Sequence, residues 1–383
     1  MGIHNRNWTA ALGLTLLIAG LSNGPAVAQL DTLEGFRAAY PAADPKVGEV
    51  MQEDEVEAAF EISEIIIEAL GRRFSGGTIR RDAHPKANGC VQAQFRVGET
   101  VEPSLAKGVF QPGASYDAII RFSNGNEDPS LSDAEGDGRG MAIKLLNVGE
   151  RPEGGAPAGS VNQDFIMISH PTFIVNDASD YRSLIGYVNS ASGIVQSLKL
   201  ALVPWSIGIR GTMIAAETTS LKIAHPLETR YWSMVPYRLG DNGDAQAIKF
   251  SAKPCEAGTS AIPDDPAPDF LRGAMRDTLA AGSACMVFMV QPRTSASMKV
   301  EDSQEEWTED EAPFFEVAKI EIPQQTFDTP VQAEACENMS YNPWRGLAAH
   351  RPLGAVNRMR KVIYERVSTF RRLSNGAAMD EPG

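Results

Sequence analysis

Seven short runs of alternating apolar and polar residues constrain this chain more than any other feature. They are Cys90 to Val97, Tyr116 to Phe122, Gly140 to Leu146, Asp164 to Ile168, Ala247 to Ala252, Ala284 to Gln291 and Phe315 to Ile322. Alternation with period two gives each strand one buried face, and runs this closely spaced pair antiparallel rather than through helical crossovers. The expected fold is therefore α+β, an antiparallel barrel with helices packed outside it. Helical periodicity predicts those helices over Asp54 to Phe74, Asp180 to Val188, Pro268 to Ala280 and Pro352 to Leu373. In the first, Val56, Ala59, Phe60, Ile66, Ile67 and Leu70 keep the period, Ser63 interrupts it, and Gly76-Gly77 closes it. No internal repeat is visible.

The amino terminus reads as an export signal, with Arg6 ahead of an apolar stretch from Ala10 to Leu21 and then Pro25-Ala-Val-Ala28. That stretch is too short to span a bilayer, and Ala26-x-Ala28 fits the small-residue rule for cleavage before Gln29. The expected mature chain is periplasmic or secreted, has no membrane span, and keeps 355 of the 383 residues. Its predicted divisions are a signal peptide (1–28), an arm and helix (29–73), one large domain (74–375) and a flexible tail (376–383). A formal charge of −14 argues against nucleic acid and anionic membrane surfaces as partners. The acidic runs Met51 to Glu68 and Glu301 to Glu316 read as solvated faces. Cys90, Cys255, Cys285 and Cys336 show no C-x-x-C pairing, which argues against zinc or thioredoxin-like chemistry. In an oxidising compartment Cys255 can pair with Cys285 or with Cys336, and spacing does not choose between them.

The last helix carries chemistry. Arg360, Tyr364 and Arg371 lie at i, i+4 and i+11, on one stripe, while Ala355, Met359, Val362, Ile363, Val367 and Phe370 supply apolar contacts. An arginine one turn from a phenol favours its ionised form, and a tyrosinate is one of the few protein groups that binds haem iron. Taken alone, the same pattern also describes a basic amphipathic helix with one core tyrosine.

Earlier segments tip the balance. Arg81-Asp-Ala-His84-Pro-Lys86-Ala-Asn-Gly89 precedes the first strand, and Ile120-Arg121-Phe122-Ser123 ends the second. Arg139-Gly140-Met141-Ala142-Ile143-Lys144 and the segment Asp164 to Asp177 follow in order. Together with Arg360-x-x-x-Tyr364, these resemble the catalases over roughly Phe74 to Leu373. The resemblance implies an eight-stranded antiparallel barrel with haem b between it and the final helix. It also implies roles: His84 as general acid–base, Ser123 as its orienter, and Tyr364 as axial ligand to the haem iron. Arg360 would be the charge partner of Tyr364, and Arg81, Arg121 and Arg371 the clamp on the haem propionates. A flavodoxin-like domain of the kind that larger catalases carry is not expected after this helix.

Three positions depart from the catalase pattern. Ile168, three residues before Pro171, stands where catalases place the asparagine that hydrogen-bonds peroxide; a shifted register would put Ser169 or Asn162 there instead. Ala83 and Gly125 replace valines that narrow the channel. A wider, more apolar pocket with one donor fewer implies weak dismutation of hydrogen peroxide and room for organic hydroperoxides or phenolic electron donors. The alternatives are a haem enzyme that rearranges or cleaves fatty-acid hydroperoxides and a haem carrier or sensor without turnover. Asp133-x-Glu135-x-Asp137-Gly138 begins like an EF-hand loop, but Lys144 stands at position twelve, so calcium is not expected. Gly136-x-Gly138-x-Gly140 precedes a strand, not a helix, and is no dinucleotide motif. No Gly-x-Ser-x-Gly elbow is present, and His170 and His225, each before a proline, read as loop or core residues.

Overall fold

The computed structural model describes residues 30–149, 162–189, 201–241 and 243–379. The predicted export signal, 1–28, lies outside the described residues. Each of the seven expected strands forms: β1 (Ala87–Val97), β2 (Ser115–Asn124), β3 (Arg139–Leu145), β4 (Gln163–Ile168), β7 (Gln246–Pro254), β8 (Ala284–Pro292) and β9 (Phe315–Ile322). Two more, β5 (Tyr231–Trp232) and β6 (Tyr237–Leu239), are too short to leave a period in the sequence. The sheet runs β5-β4-β3-β2-β1-β9-β8-β7-β6, every pairing described is antiparallel, and β5 also pairs with β7. That last pairing closes eight strands into a barrel and leaves β6 as an appendage on β7.

Strand alternation decides where a ligand can go. Inward residues pack densely: Phe165 lies 5.0 Å from Phe288 and 5.1 Å from Phe250 between ring centroids, and Phe95 and Phe110 join them. The barrel interior is thus filled with side chains, and open space lies against its outer face. On that face the register sets two cross-strand rows. One runs Ser123, Gly140, Ile168, and the other runs Cys90, Arg121, Ala142, Ile166.

Seven α-helices are found among the described residues: α1 (Leu33–Ala39), α2 (Glu55–Arg73), α3 (Ala178–Val188), α4 (Val203–Ser220), α5 (Phe270–Ala281), α6 (Pro330–Asn338) and α7 (Ala355–Asn375). Helices α2, α3, α5 and α7 match expectation to within a few residues. α2 and α7 bury one apolar seam, including Ile62, Ile66, Leu70, Met359 and Ile363. Gly376 ends α7 in the left-handed conformation that favours glycine (φ 62°). The predicted tail begins there, and of its residues those through 379 are described. Among the described residues no helix is long and apolar enough to cross a membrane.

One expectation about charge is corrected. Glu55, read as part of a solvated face, is fully buried, as is Glu49 just before that run. Arg358 of α7, also fully buried, donates to Glu55 Oε1 at 2.7 Å, to Glu49 Oε1 at 2.7 Å and to Glu301 Oε1 at 2.9 Å. Two acidic segments distant in sequence, around Glu49–Glu55 and at Glu301, are thus folded onto the start of the last helix. Four cysteines form two disulfides, Cys90–Cys336 and Cys255–Cys285. The second was one of the two pairings left open for Cys255; Cys336 instead ties α6 to β1. Two disulfides fit an oxidising compartment.

Candidate functional site

Between the outer wall of the barrel and α7 lies a cavity of about 1000 Å³, counted out to its open mouth. His84, Ser123, Arg81, Arg121, Tyr364 and Arg371 all line it, so six of the seven residues singled out in the sequence meet in one place. Arg360, the seventh, acts from behind the wall: its Nη2 donates to the Tyr364 phenol oxygen at 3.1 Å.

His84 sits where β1 is about to begin, and it is held against its own preference. Its φ of 62° lies in the left-handed region, which costs a non-glycine residue on the order of 1–3 kcal/mol. Two contacts fix the turn. The His84 N–H donates to Gly125 O at 3.3 Å, and Arg121 Nη2 donates to His84 O at 2.7 Å. The ring stacks above Gly140, where a Cβ would come within 2.6 Å of Nδ1, so only glycine leaves room for it. Ser123 Oγ, the row neighbour of Gly140, lies 3.2 Å from Nδ1 and leaves Nε2 as the other proton site. Burial, and then the charges of Arg121 and Arg81, push the His84 pKa down to about 3. The imidazole is therefore neutral at ordinary pH.

On the opposite side α7 presents Tyr364. Arg360 Nη1 also donates to Asn357 Oδ1 at 3.0 Å, and Asn357 is locked by its own Nδ2 donating to Pro236 O at 2.9 Å. Burial works against the Arg360 charge, but the phenols of Tyr364 and Tyr237 outweigh it and raise its pKa. A guanidinium that cannot lose its proton thus faces the phenol oxygen.

The other three arginines make a basic rim. Burial, and then Arg81 nearby, bring the Arg121 pKa down to about 9, which marks an undercompensated positive site. Buried Arg121 Nε has no hydrogen-bond partner among the described residues. Arg81 Nη2 donates to Met339 O at 2.5 Å, and Arg371 Nη1 donates to Glu337 O at 2.5 Å. An orphaned buried donor on a cationic rim suits a ligand carrying carboxylates. The remaining wall is apolar, including Ile66, Ala83, Ile166, Ile363 and Val367.

Several positions of the candidate site were not assigned a role from sequence. Gly140 seats the His84 ring, and the Gly-Met pair in an otherwise ordinary strand motif was its only signal. Asp82 lines the mouth, and burial raises its pKa to about 6 against the nearby Arg73. Glu337 approaches Arg81 and Arg371 at 3.1 and 3.6 Å. Of the three departures, Ala83 does line the cavity, whereas Gly125 has a different cause: a Cβ there would meet Gly138 O at 2.5 Å. Ile168 pairs with Gly140 in the Ser123–Gly140 row but is not among the residues that line the cavity, so the structure does not place it in the pocket as the catalase pattern implied. Neither alternative replaces it, because Ser169 Oγ accepts from Arg139 N and Asn162 Oδ1 accepts from Asn147 N.

Comparisons with solved structures agree with this architecture. A fungal catalase superposes with a TM-score of 0.59 at 15% identity, over 80% of this chain and 61% of that one. Catalase A from Saccharomyces cerevisiae gives 0.57 at 17%, over 86% and 68%. A bacterial catalase gives 0.53 at 14%, over 89% and 66%. No protein-family model matches the sequence, and no curated protein matches it. The chain has a catalase-like fold, and it spans about three fifths of the fungal catalase's length.

Proposed function

We propose that the cavity holds haem b and that the protein is a haem-dependent, peroxide-consuming oxidoreductase exported to the periplasm or beyond. One observation carries this reading: a neutral, oriented histidine and an arginine-backed tyrosine line the same cavity beneath a rim of three arginines. Tyr364 would hold the iron, and Arg81, Arg121 and Arg371 would hold the propionates, with Arg121 Nε as the orphaned donor that invites a carboxylate. Haem iron, when bound, supplies the redox chemistry that cleaves a peroxide bond. The side chains do the rest. His84 Nε2 can take a proton from one peroxide oxygen and return it to the other, a contribution typically worth about 10² to 10⁴ in rate. Ser123 keeps the ring tilted over Gly140 throughout. Arg360 holds the Tyr364 oxygen in place through its 3.1 Å hydrogen bond.

The apolar wall favours organic hydroperoxides, with or without a phenolic electron donor, over fast dismutation of hydrogen peroxide. The catalase-like proteins that rearrange fatty-acid hydroperoxides are the second reading, supported by Ala83 and Ile166 in the wall. Purified protein supplemented with haem should bind one equivalent, and Tyr364→Phe should alter the visible spectrum. Oxygen release, consumption of a phenol, and rearranged products separate the three reactions. Protein that retains no stoichiometric haem would overturn the reading.

A further inference from the structure

Arg81 and Arg371 are held from behind by one turn of chain, and that turn is stapled. At the carboxyl end of α6, the carbonyls of Cys336 and Met339 accept from Arg81 Nη2 at 3.3 and 2.5 Å. The carbonyls of Glu337 and Met339 accept from Arg371 at 2.5 and 3.2 Å. The Glu337 carboxylate lies 3.1 Å from Arg81 Nη1 and 3.6 Å from Arg371 Nη1, and it opens on the opposite side to a separate groove containing Thr78, Arg80 and Arg272. It therefore braces the guanidiniums from outside the cavity. The C-terminal end of a helix also carries partial negative charge, which adds to the hold on two cations. The turn is not held by packing alone, since Cys336 is bonded to Cys90. Cys90 occupies the same cross-strand row as Arg121, immediately beside it. One covalent link thus connects the turn that positions Arg81 and Arg371 to the strand position next to the third arginine.

Building on the haem reading, we infer that the turn 336–339, with Glu337 as a positioning residue and Cys90–Cys336 as its staple, sets the arginine rim for carboxylate capture and makes cofactor retention redox-sensitive. With the disulfide intact, the rim is fixed before the ligand arrives. Reduction, a two-electron step supplied by an external dithiol that is itself oxidised to its disulfide, leaves both cysteines as thiols and lets α6 draw away from β1. The arginines then lose their carbonyl partners and their aim.

The test uses full-length protein carrying Cys255→Ser and Cys285→Ser, so that Cys90–Cys336 is the one disulfide present. Dissociation of ferric haem and of its dimethyl ester is followed by transfer to an apo-acceptor protein, before and after dithiothreitol. Loss of one or two charge-assisted hydrogen bonds should speed loss of haem by about ten- to a hundredfold on reduction. The dimethyl ester, which has no carboxylates to clamp, should leave at nearly the same rate in both states. Glu337→Gln, with the disulfide kept, should move haem loss in the same direction by a smaller factor, and far-ultraviolet circular dichroism should confirm that each form is folded. Equal retention of haem in oxidised and reduced protein would overturn the inference and leave the haem reading standing. Acceleration of haem and ester alike would also overturn it, by showing general loosening. Oxidised protein that takes up no haem would remove both.

Discussion

Replacing Gly140 with alanine probes the site with one methyl group. A Cβ at this position would lie 2.6 Å from His84 Nδ1, 2.7 Å from Cε1 and 2.8 Å from Ser123 Oγ. Ordinary contact begins near 3.4 Å, so the ring must retreat by about 0.8 Å. The strand cannot yield instead, because Gly140 is paired on both sides, with Ser123 and with Ile168. The ring is therefore displaced, and the 3.2 Å contact with Ser123 is broken. Overpacking of this kind costs about 1–3 kcal/mol in stability. Misplacement of a catalytic group by about 1 Å can lower turnover on the order of 100-fold. The assay is peroxide consumption per bound haem, with haem content and urea midpoint measured on the same sample. Gly140→Ala should keep its haem, lose a modest part of its stability and lose most of its turnover. Full turnover in a folded, haem-loaded variant would refute the assignment of His84 as the proton-transfer group.

Arg358→Met should destabilise the protein by about 3–5 kcal/mol, because it leaves Glu55 buried without a counter-charge and Glu49 with Arg351 alone. Adding Glu49→Gln and Glu55→Gln should recover part of that loss in urea titrations, and no recovery would show that packing, not charge, was removed. Ile168→Asn adds an amide donor next to Gly140 in the strand row and, if that position reaches the substrate, should raise dioxygen release from hydrogen peroxide by about ten- to a hundredfold; an unchanged rate would show that this row does not face the substrate. His84→Gln should change the pH dependence of haem-free stability. In the wild type the unfolded chain takes up a proton below about pH 6.5 while the folded ring resists until about 3, so stability falls as pH drops through that window. The variant lacks this loss, and measured against the wild type it should gain about 2 kcal/mol between pH 7.5 and pH 5. A difference that stays constant with pH would mean that the folded ring protonates freely.

Much of the fold and the site was legible because both rest on short-range patterns. Strand alternation located seven of the nine strands, and the closing pair β5–β7 escaped because two residues cannot show a period. Helix α4 escaped for a physical reason: Trp205, Ile209 and Met213 face solvent, so no apolar stripe marks a buried side, and Gly208 breaks the helical geometry within it. Glu55 was misread because its counter-charge, Arg358, lies 303 residues away, and nothing local distinguishes a buried carboxylate from a solvated one. The site residues were found through motif order, whereas the brace at Glu337 and the seat at Gly140 exist only in the register of strands and the placement of α6.

The pairing of β1 with β9 bears on the order in which the molecule can be assembled. Residues 94–97 are hydrogen-bonded to residues 318–321, so the barrel stays open until nearly the whole chain has emerged. Long-range closure of this kind makes folding slow, since the entropy of a very large loop is lost before any contact compensates for it. The wall that seats His84 and the helix that carries Tyr364 meet only after that closure. On the proposed haem reading, cofactor insertion would belong to the last stage of maturation, and an assembly factor would have to recognise a nearly finished barrel, not a nascent one.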